Sequence, residues 1–95
     1  MAAYIIAQIN VTDPETYETY RKQVPTTLEP YGAEFVVRGG AQEVLEGDWA
    51  FPRCVVLRFP DMESAKAWHA SAAYAEPKAI RQSASQGNMI VVEGN

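Results

Sequence analysis

Apolar positions along this chain fall into two periods, one of two residues and one near 3.6, and together they mark six elements. Tyr4-Ile5-Ile6-Ala7-Gln8-Ile9-Asn10-Val11 is a β-branched run closed by Thr12-Asp13-Pro14, and it reads as a first strand. Asp13 can cap a helix that has Pro14 at its first position, where proline's missing N–H would be unpaired in any case. Thr12 with Glu15 offers a competing capping box. Tyr17, Tyr20, Val24 and Leu28 then recur at helical spacing. Pro25 should kink or divide that helix, and Pro30-Tyr31-Gly32 ends it.

Glu34–Arg38 reads as a second strand. Gly39-Gly40 follows as a bulge or bend, after which Glu43-Val44-Leu45-Glu46 can continue the ribbon. Gly47–Pro52 is a loop and Arg53–Phe59 a third strand. Asp61 caps a helix through Ala65 and Trp68, and Ser71 can cap a second segment containing Tyr74 and Ile80, with a kink or restart expected at Pro77. Gln86-Gly87-Asn88 reads as a turn before a last strand from Met89 to Glu93. The order β-α-β-β-α-β is the split βαβ, or ferredoxin-like, arrangement: an α+β class in one domain spanning residues 1–95. Right-handed crossovers put both helices on one face of a four-stranded antiparallel sheet, with the first and third strands in the middle.

A sheet covered on one side should alternate apolar-in and polar-out. Here Ile5, Ala7 and Ile9 are opposed by Tyr4 and Ile6; Val55, Leu57 and Phe59 by Cys54 and Val56; Ile90 and Val92 by Met89 and Val91. Two helices cannot cover both faces, and a bare apolar face of this size exceeds what soluble monomers usually expose. The expectation is a homodimer packed through the helix-free face of the sheet.

Composition narrows the function classes. Eight Lys and Arg against twelve Asp and Glu leave a net charge of -4, and the eight cations are scattered rather than grouped, which argues against nucleic-acid binding. The first seven residues hold no basic residue, and Gln8 then interrupts the apolar run; no run approaches the ~20 residues of a membrane span, so a cytoplasmic protein without membrane contact is expected. The single cysteine, Cys54, lies in an apolar strand, where free cysteine usually acts as a small buried hydrophobe; the alternative, a reactive nucleophile, lacks a neighbouring helix start or basic cluster to activate it. One histidine and one cysteine cannot form the usual zinc sets, no calcium loop is present, and no phosphate-loop or dinucleotide fingerprint occurs, so neither a metal nor a cofactor is expected.

Cations and aromatics remain. Arg38 ends the second strand, Arg53 opens the third and Arg81 lies in the last helical segment, while Trp49, Trp68 and Tyr74 are placed to line a space between helices and sheet. Arginine's planar fork suits a carboxylate or enolate, and aromatic walls suit a flat organic body. The competing reading pairs these arginines with Glu34, Glu43, Glu46 or Glu76 and buries the aromatics as core; Trp68 shares a helical stripe with Ala65. Arg58 falls on the expected dimer face or its rim. His69 is the one side chain that titrates near neutrality and is a weak candidate for proton transfer.

Read in order, Thr12-Asp13-Pro14-Glu15 with Tyr17 and Tyr20, then Tyr31-Gly32, Val37-Arg38-Gly39-Gly40, Leu45-Glu46-Gly47-Asp48-Trp49, Val55-Val56-Leu57-Arg58-Phe59-Pro60, Ala67-Trp68 with Ser71 and Tyr74, Arg81, and Val91-Val92-Glu93-Gly94 resemble the family known as domain of unknown function 1330 over nearly the whole chain. The resemblance implies the dimeric α/β-barrel variety of the ferredoxin-like fold, whose relatives include cofactor-free monooxygenases, muconolactone isomerases and stress-responsive barrel proteins. Two positions depart from it: Gly32-Ala33 stands where members often have Gly-Gly, and Ser71-Ala72-Ala73-Tyr74 where they have Ser-Pro-Glu-Tyr. Fold analogy does not transfer a reaction. Two functions follow as expectations: a dimer that binds a small organic anion between helices and sheet, or a cofactor-free isomerase or monooxygenase-like enzyme acting on a small oxygenated or aromatic acid.

Overall fold

A computed structural model describes residues 1–95. Strand β1 (Ala3–Val11) leads into helix α1 (Pro14–Leu28) and a short 3-10 turn (Glu29–Tyr31), then strands β2 (Glu34–Arg38) and β3 (Arg53–Phe59), helices α2 (Met62–His69) and α3 (Ala72–Ala84), and strand β4 (Ser85–Glu93). The strands form one antiparallel sheet in the order β2-β3-β1-β4, with the first and third strands central as the topology requires. The second crossover is two helices rather than one.

Capping chemistry sets the helix starts. The Asp13 carboxylate accepts the Thr16 N–H at 3.2 Å, so Asp13 rather than Thr12 is the cap of α1. Asp61 accepts from Ser64 N–H at 2.7 Å and the Ser71 hydroxyl from Tyr74 N–H at 3.2 Å, opening α2 and α3. Pro25 does not divide α1, and Pro77 does not divide α3. Proline in a helix interior leaves the carbonyl four residues back without its donor. For Pro25 that is the Arg21 carbonyl, which instead accepts from the Arg38 guanidinium at 3.1 Å. A donor from β2 thus takes the acceptor that the proline leaves open.

Two sequence expectations fail in the strands. Glu43–Glu46 does not extend the ribbon: β3 begins only at Arg53, after Pro52, so these residues have no facing strand and lie in an irregular loop, Gly39–Pro52. Gln86-Gly87-Asn88 is not a turn but the start of β4, opposite Asn10, Ile9 and Gln8. The nine-residue β1 offers ladder partners to that segment, and pairing overrides its turn-like composition. The β-bulge falls in β2 between Phe35 and Val37, and Gly39, at φ +72°, makes the bend that begins the loop.

Ala3, Ile5, Ala7 and Ile9 are buried beneath the helices, with Leu57 and Phe59 beside them. Over them lies an aromatic cluster. Trp68, which is fully buried, stacks on Tyr74 with ring centroids 3.9 Å apart and meets Phe59 at 5.6 Å. Its indole N–H donates to the Thr27 hydroxyl at 3.0 Å, which in turn donates to the Val24 carbonyl at 2.7 Å. The other face of the sheet carries no helix. Val37, Val56, Ile6 and Ile90 are cross-strand partners in one row over all four strands, and Ile90 is 58% exposed.

Thr27→Val keeps the volume and strands the buried indole N–H. Urea unfolding should record a loss of about 1–3 kcal/mol, with Thr27→Ser close to the parent protein. The Thr16 and Ser64 hydrogen bonds hold the Asp13 and Asp61 carboxyls below their ordinary 3.8. Their contribution is therefore complete above that pH and is lost as the pH falls through the lower folded values. In a thermal-unfolding series into acid, the double variant Asp13→Asn, Asp61→Asn should show a shallower decline than the parent protein.

Candidate functional site

Between α1 and the sheet lies a narrow cavity of about 30 Å³, room for a water or two. Apolar side chains, among them Ile5, Phe35, Leu57 and Trp68, form most of its wall, and the guanidinium-bearing side chains of Arg21, Arg38 and Arg53 also line it. Each arginine arrives for a traceable reason. In plain alternation from Phe35, which faces the helices opposite Leu57, Arg38 would point to the other side. The bulge shifts the register so that Val37 pairs with Val56 and Arg38 with Val55, turning Arg38 toward the helices. Arg53 is opposite Ile9 and shares its helix-side face. Arg21 follows Tyr20 on α1.

Backbone and aromatic contacts, rather than carboxylates, hold two of these cations. Arg38 lies over the Phe35 ring at 4.3 Å while bonding the Arg21 carbonyl, and Arg53 sits 5.5 Å from the centre of the Tyr17 ring. A side chain at Gly39 would collide with the Arg53 guanidinium, and the +72° φ there also favours glycine. Arg21 pairs with Glu18 at 2.9 Å, whereas Arg38 and Arg53 have no carboxylate partner. The Nε–H groups of Arg21 and Arg53 are buried and have no hydrogen-bond acceptor. Leaving such donors unmatched costs about 1–3 kcal/mol each.

Behind the cavity runs a short hydrogen-bond chain. Arg81, buried, donates through Nε to the Tyr74 hydroxyl at 3.3 Å, and that hydroxyl is 2.9 Å from the Tyr20 hydroxyl. Burial, with the Tyr74 phenol beside it, pushes the Tyr20 phenol far above the ordinary value of 10, so Tyr20 stays neutral. As a wall residue it can offer a hydrogen bond but not a phenolate.

Of the residues singled out from sequence, Arg38, Arg53 and Trp68 line the cavity. Tyr74 and Arg81 stand one layer behind it, joined through Tyr20. Trp49 lies apart on the Gly39–Pro52 loop. His69 borders a separate groove of about 190 Å³ with Lys66, Met89 and Ile90. The competing ion-pair reading holds for none of Arg38, Arg53 and Arg81; the Glu34 carboxylate pairs with Arg58 at 3.5 Å. Arg21, Tyr17 and Tyr20 escaped sequence reasoning as site residues, the tyrosines because their helical spacing marks them as core. Arg21 had a signal: it is four residues before Pro25, so its carbonyl needed a donor from elsewhere. No three His, Cys, Asp or Glu side chains lie close enough together to hold a metal ion, and no helix is long and apolar enough to cross a membrane.

This sheet order with its helices on one face defines a small ferredoxin-like α+β protein. The chain belongs to the family called domain of unknown function 1330 (DUF1330), whose model matches residues 2–95. No curated protein matches it by sequence. Among solved structures it is similar to a protein of unknown function from Rhodopseudomonas palustris, with a TM-score of 0.80 at 16% identity over 99% of this chain and 82% of that one. A dimeric ferredoxin-like protein of unknown function from Jannaschia sp. also reaches 0.80, at 10% identity over 99% and 100% of the two chains. SnoaB, a cofactor-independent oxygenase from Streptomyces nogalater, matches with a TM-score of 0.66 at 10% identity, covering 99% and 93%. At these identities the likeness establishes the fold.

Burial, then the charges of Lys78 and Arg81, hold the His69 imidazole below its ordinary 6.5. The folded protein thus binds that proton less readily than the unfolded chain, and stability declines as the pH drops below 6.5. In proton NMR the sole imidazole should titrate with a midpoint under 6.5; a midpoint above it would contradict the observed surroundings.

Proposed function

We propose that this protein binds a small organic anion in the cavity between α1 and the sheet. The observation that carries the reading is one apolar cavity lined by three arginines, Arg21, Arg38 and Arg53, of which Arg21 and Arg53 each keep a buried Nε–H without an acceptor. A carboxylate or enolate would satisfy those donors with charge-assisted hydrogen bonds. Its hydrocarbon body would then lie toward Leu57 and Trp68. Because the free space is only about 30 Å³, anything larger than a few atoms requires the arginine side chains to swing outward. Arg38, although exposed, would release the Arg21 carbonyl and the Phe35 ring in doing so.

The working state in this reading is a homodimer, single-domain in each chain, packed through the helix-free face and located in the cytoplasm. Support comes from the apolar row Val37–Val56–Ile6–Ile90 and from the dimeric ferredoxin-like neighbour from Jannaschia sp.. A second reading, a cofactor-free oxygenase or isomerase acting on a small oxygenated or aromatic acid, is favoured by the likeness to SnoaB. The cavity wall argues for binding first: its only titratable groups besides arginines are Tyr17 and Tyr20, Tyr20 is held neutral, and His69 lies elsewhere.

Titration calorimetry with benzoate and short oxo acids should detect binding, with neutral benzamide inert. Arg53→Gln or Arg38→Gln should weaken it about 10- to 100-fold, the worth of one charge-assisted hydrogen bond. Equal affinity for benzoate and benzamide, or an Arg53→Gln variant that binds as well as the parent, would overturn the anion reading. Oxygen uptake by the same complexes would favour the oxygenase.

A further inference from the structure

We propose that the Gly39–Pro52 loop is an arm that clasps a second copy of this chain. The inference rests on the face-to-face dimer above and adds to it a second contact surface. Fourteen residues separate β2 from β3 with no strand or helix among them, whereas loops longer than about 12–15 residues without structure of their own are uncommon and usually functional. The loop is also apolar where a solvated loop would be polar. Leu45 is 91% exposed, Val44 53% and Trp49 48%, with Glu43, Glu46 and Asp48 interspersed. Large exposed apolar groups ringed by charge are the composition of an interface core with its rim.

Placement identifies the occupant. A groove of about 430 Å³ is bordered by Val44, Leu45 and Trp49 of the loop and continues onto Val37 and Cys54 of the sheet. Val37 is opposite Val56, and Cys54 opposite Gln8, so both belong to the helix-free face. The loop and that face therefore form one continuous apolar surface. Area supplies the second argument. Strands of nine, five, seven and nine residues, about 4.8 Å apart and about 3.3 Å per residue, cover roughly 500 Å². One end of that face is polar, where Gln8 meets Asn88 and Asn10 meets Gln86. A stable interface buries about 800 Å² of accessible surface from each partner, and the exposed Val44, Leu45 and Trp49 of the arm add apolar surface to the sheet face beside Val37 and Cys54.

The test is sedimentation velocity over a dilution series, paired with acrylamide quenching of tryptophan. Trp68 is fully buried, so the quenchable emission reports Trp49. The parent protein should sediment as a dimer with Trp49 shielded, and quenching should rise as dilution separates the copies. Leu45→Asp and Trp49→Ala should each weaken the dimer about tenfold or more, and Leu45→Asp should leave the thermal unfolding of the separated chain unchanged, since Leu45 packs against nothing in one copy. Ile90→Lys serves as the control on the sheet face. If Ile90→Lys dissociates the dimer while Leu45→Asp and Trp49→Ala do not, and Trp49 is quenched equally at all dilutions, the arm is refuted and the sheet-face dimer stands. A parent protein that remains a single 10.5 kDa chain throughout refutes both and leaves the surface to a different partner.

Discussion

The molecule is organised around β1, a central nine-residue strand with β3 paired on one edge and β4 along its whole length on the other. Its pleat sends Ala3, Ile5, Ala7 and Ile9 to one side and Tyr4 and Ile6 to the other. All three helices lie on the first side, because each crossover of this topology must turn the same way. One side is thereby sealed by Trp68, Tyr74 and the α1 stripe, while the other keeps an apolar row with nothing of its own to cover it. Two surfaces follow from that asymmetry: an arginine-lined cavity on the covered side and an uncovered apolar row on the bare one.

On the covered side, the site is assembled from departures from regular structure. The bulge in β2 rotates Arg38 inward, Pro25 frees the carbonyl that receives it, and Gly39 leaves the space in which the Arg53 guanidinium lies. Regular strands and helices bury side chains efficiently but aim them in fixed directions. A proline, a bulge and a left-handed glycine re-aim three backbone or side-chain groups without disturbing the core behind them. Local rules are broken around the cavity that the three arginines line, and such departures are the usual mark of a functional site.

The elements were largely legible in the sequence because they rest on local signals. Asp13-Pro14, Asp61 and Ser71 announce helix starts, and period-two alternation marks β1 and β3. What was not legible depends on contacts distant along the chain. Gln86-Gly87-Asn88 has the composition of a turn, and only the length of β1 makes it a strand. The Val36 bulge has no glycine to advertise it, so the side on which Arg38 emerges could not be read. Trp49 and Arg38 stand eleven positions apart, yet the irregular loop between them sends them to different surfaces. Tyr17 and Tyr20 show why core and site are hard to separate from spacing alone, since the same helical stripe supplies both.

The acceptor that anchors Arg38 is a main-chain carbonyl, and this bears on how the pocket behaves in acid. A carboxylate counter-ion would neutralise the guanidinium and, once protonated, release it, so the local potential would swing with acidity. A peptide oxygen carries no formal charge and gains no proton in the ordinary range. Its dipole orients the cation without cancelling it. The anchor of Arg38 is thus independent of acidity, whereas Arg21, on the same cavity, is held by the Glu18 carboxylate.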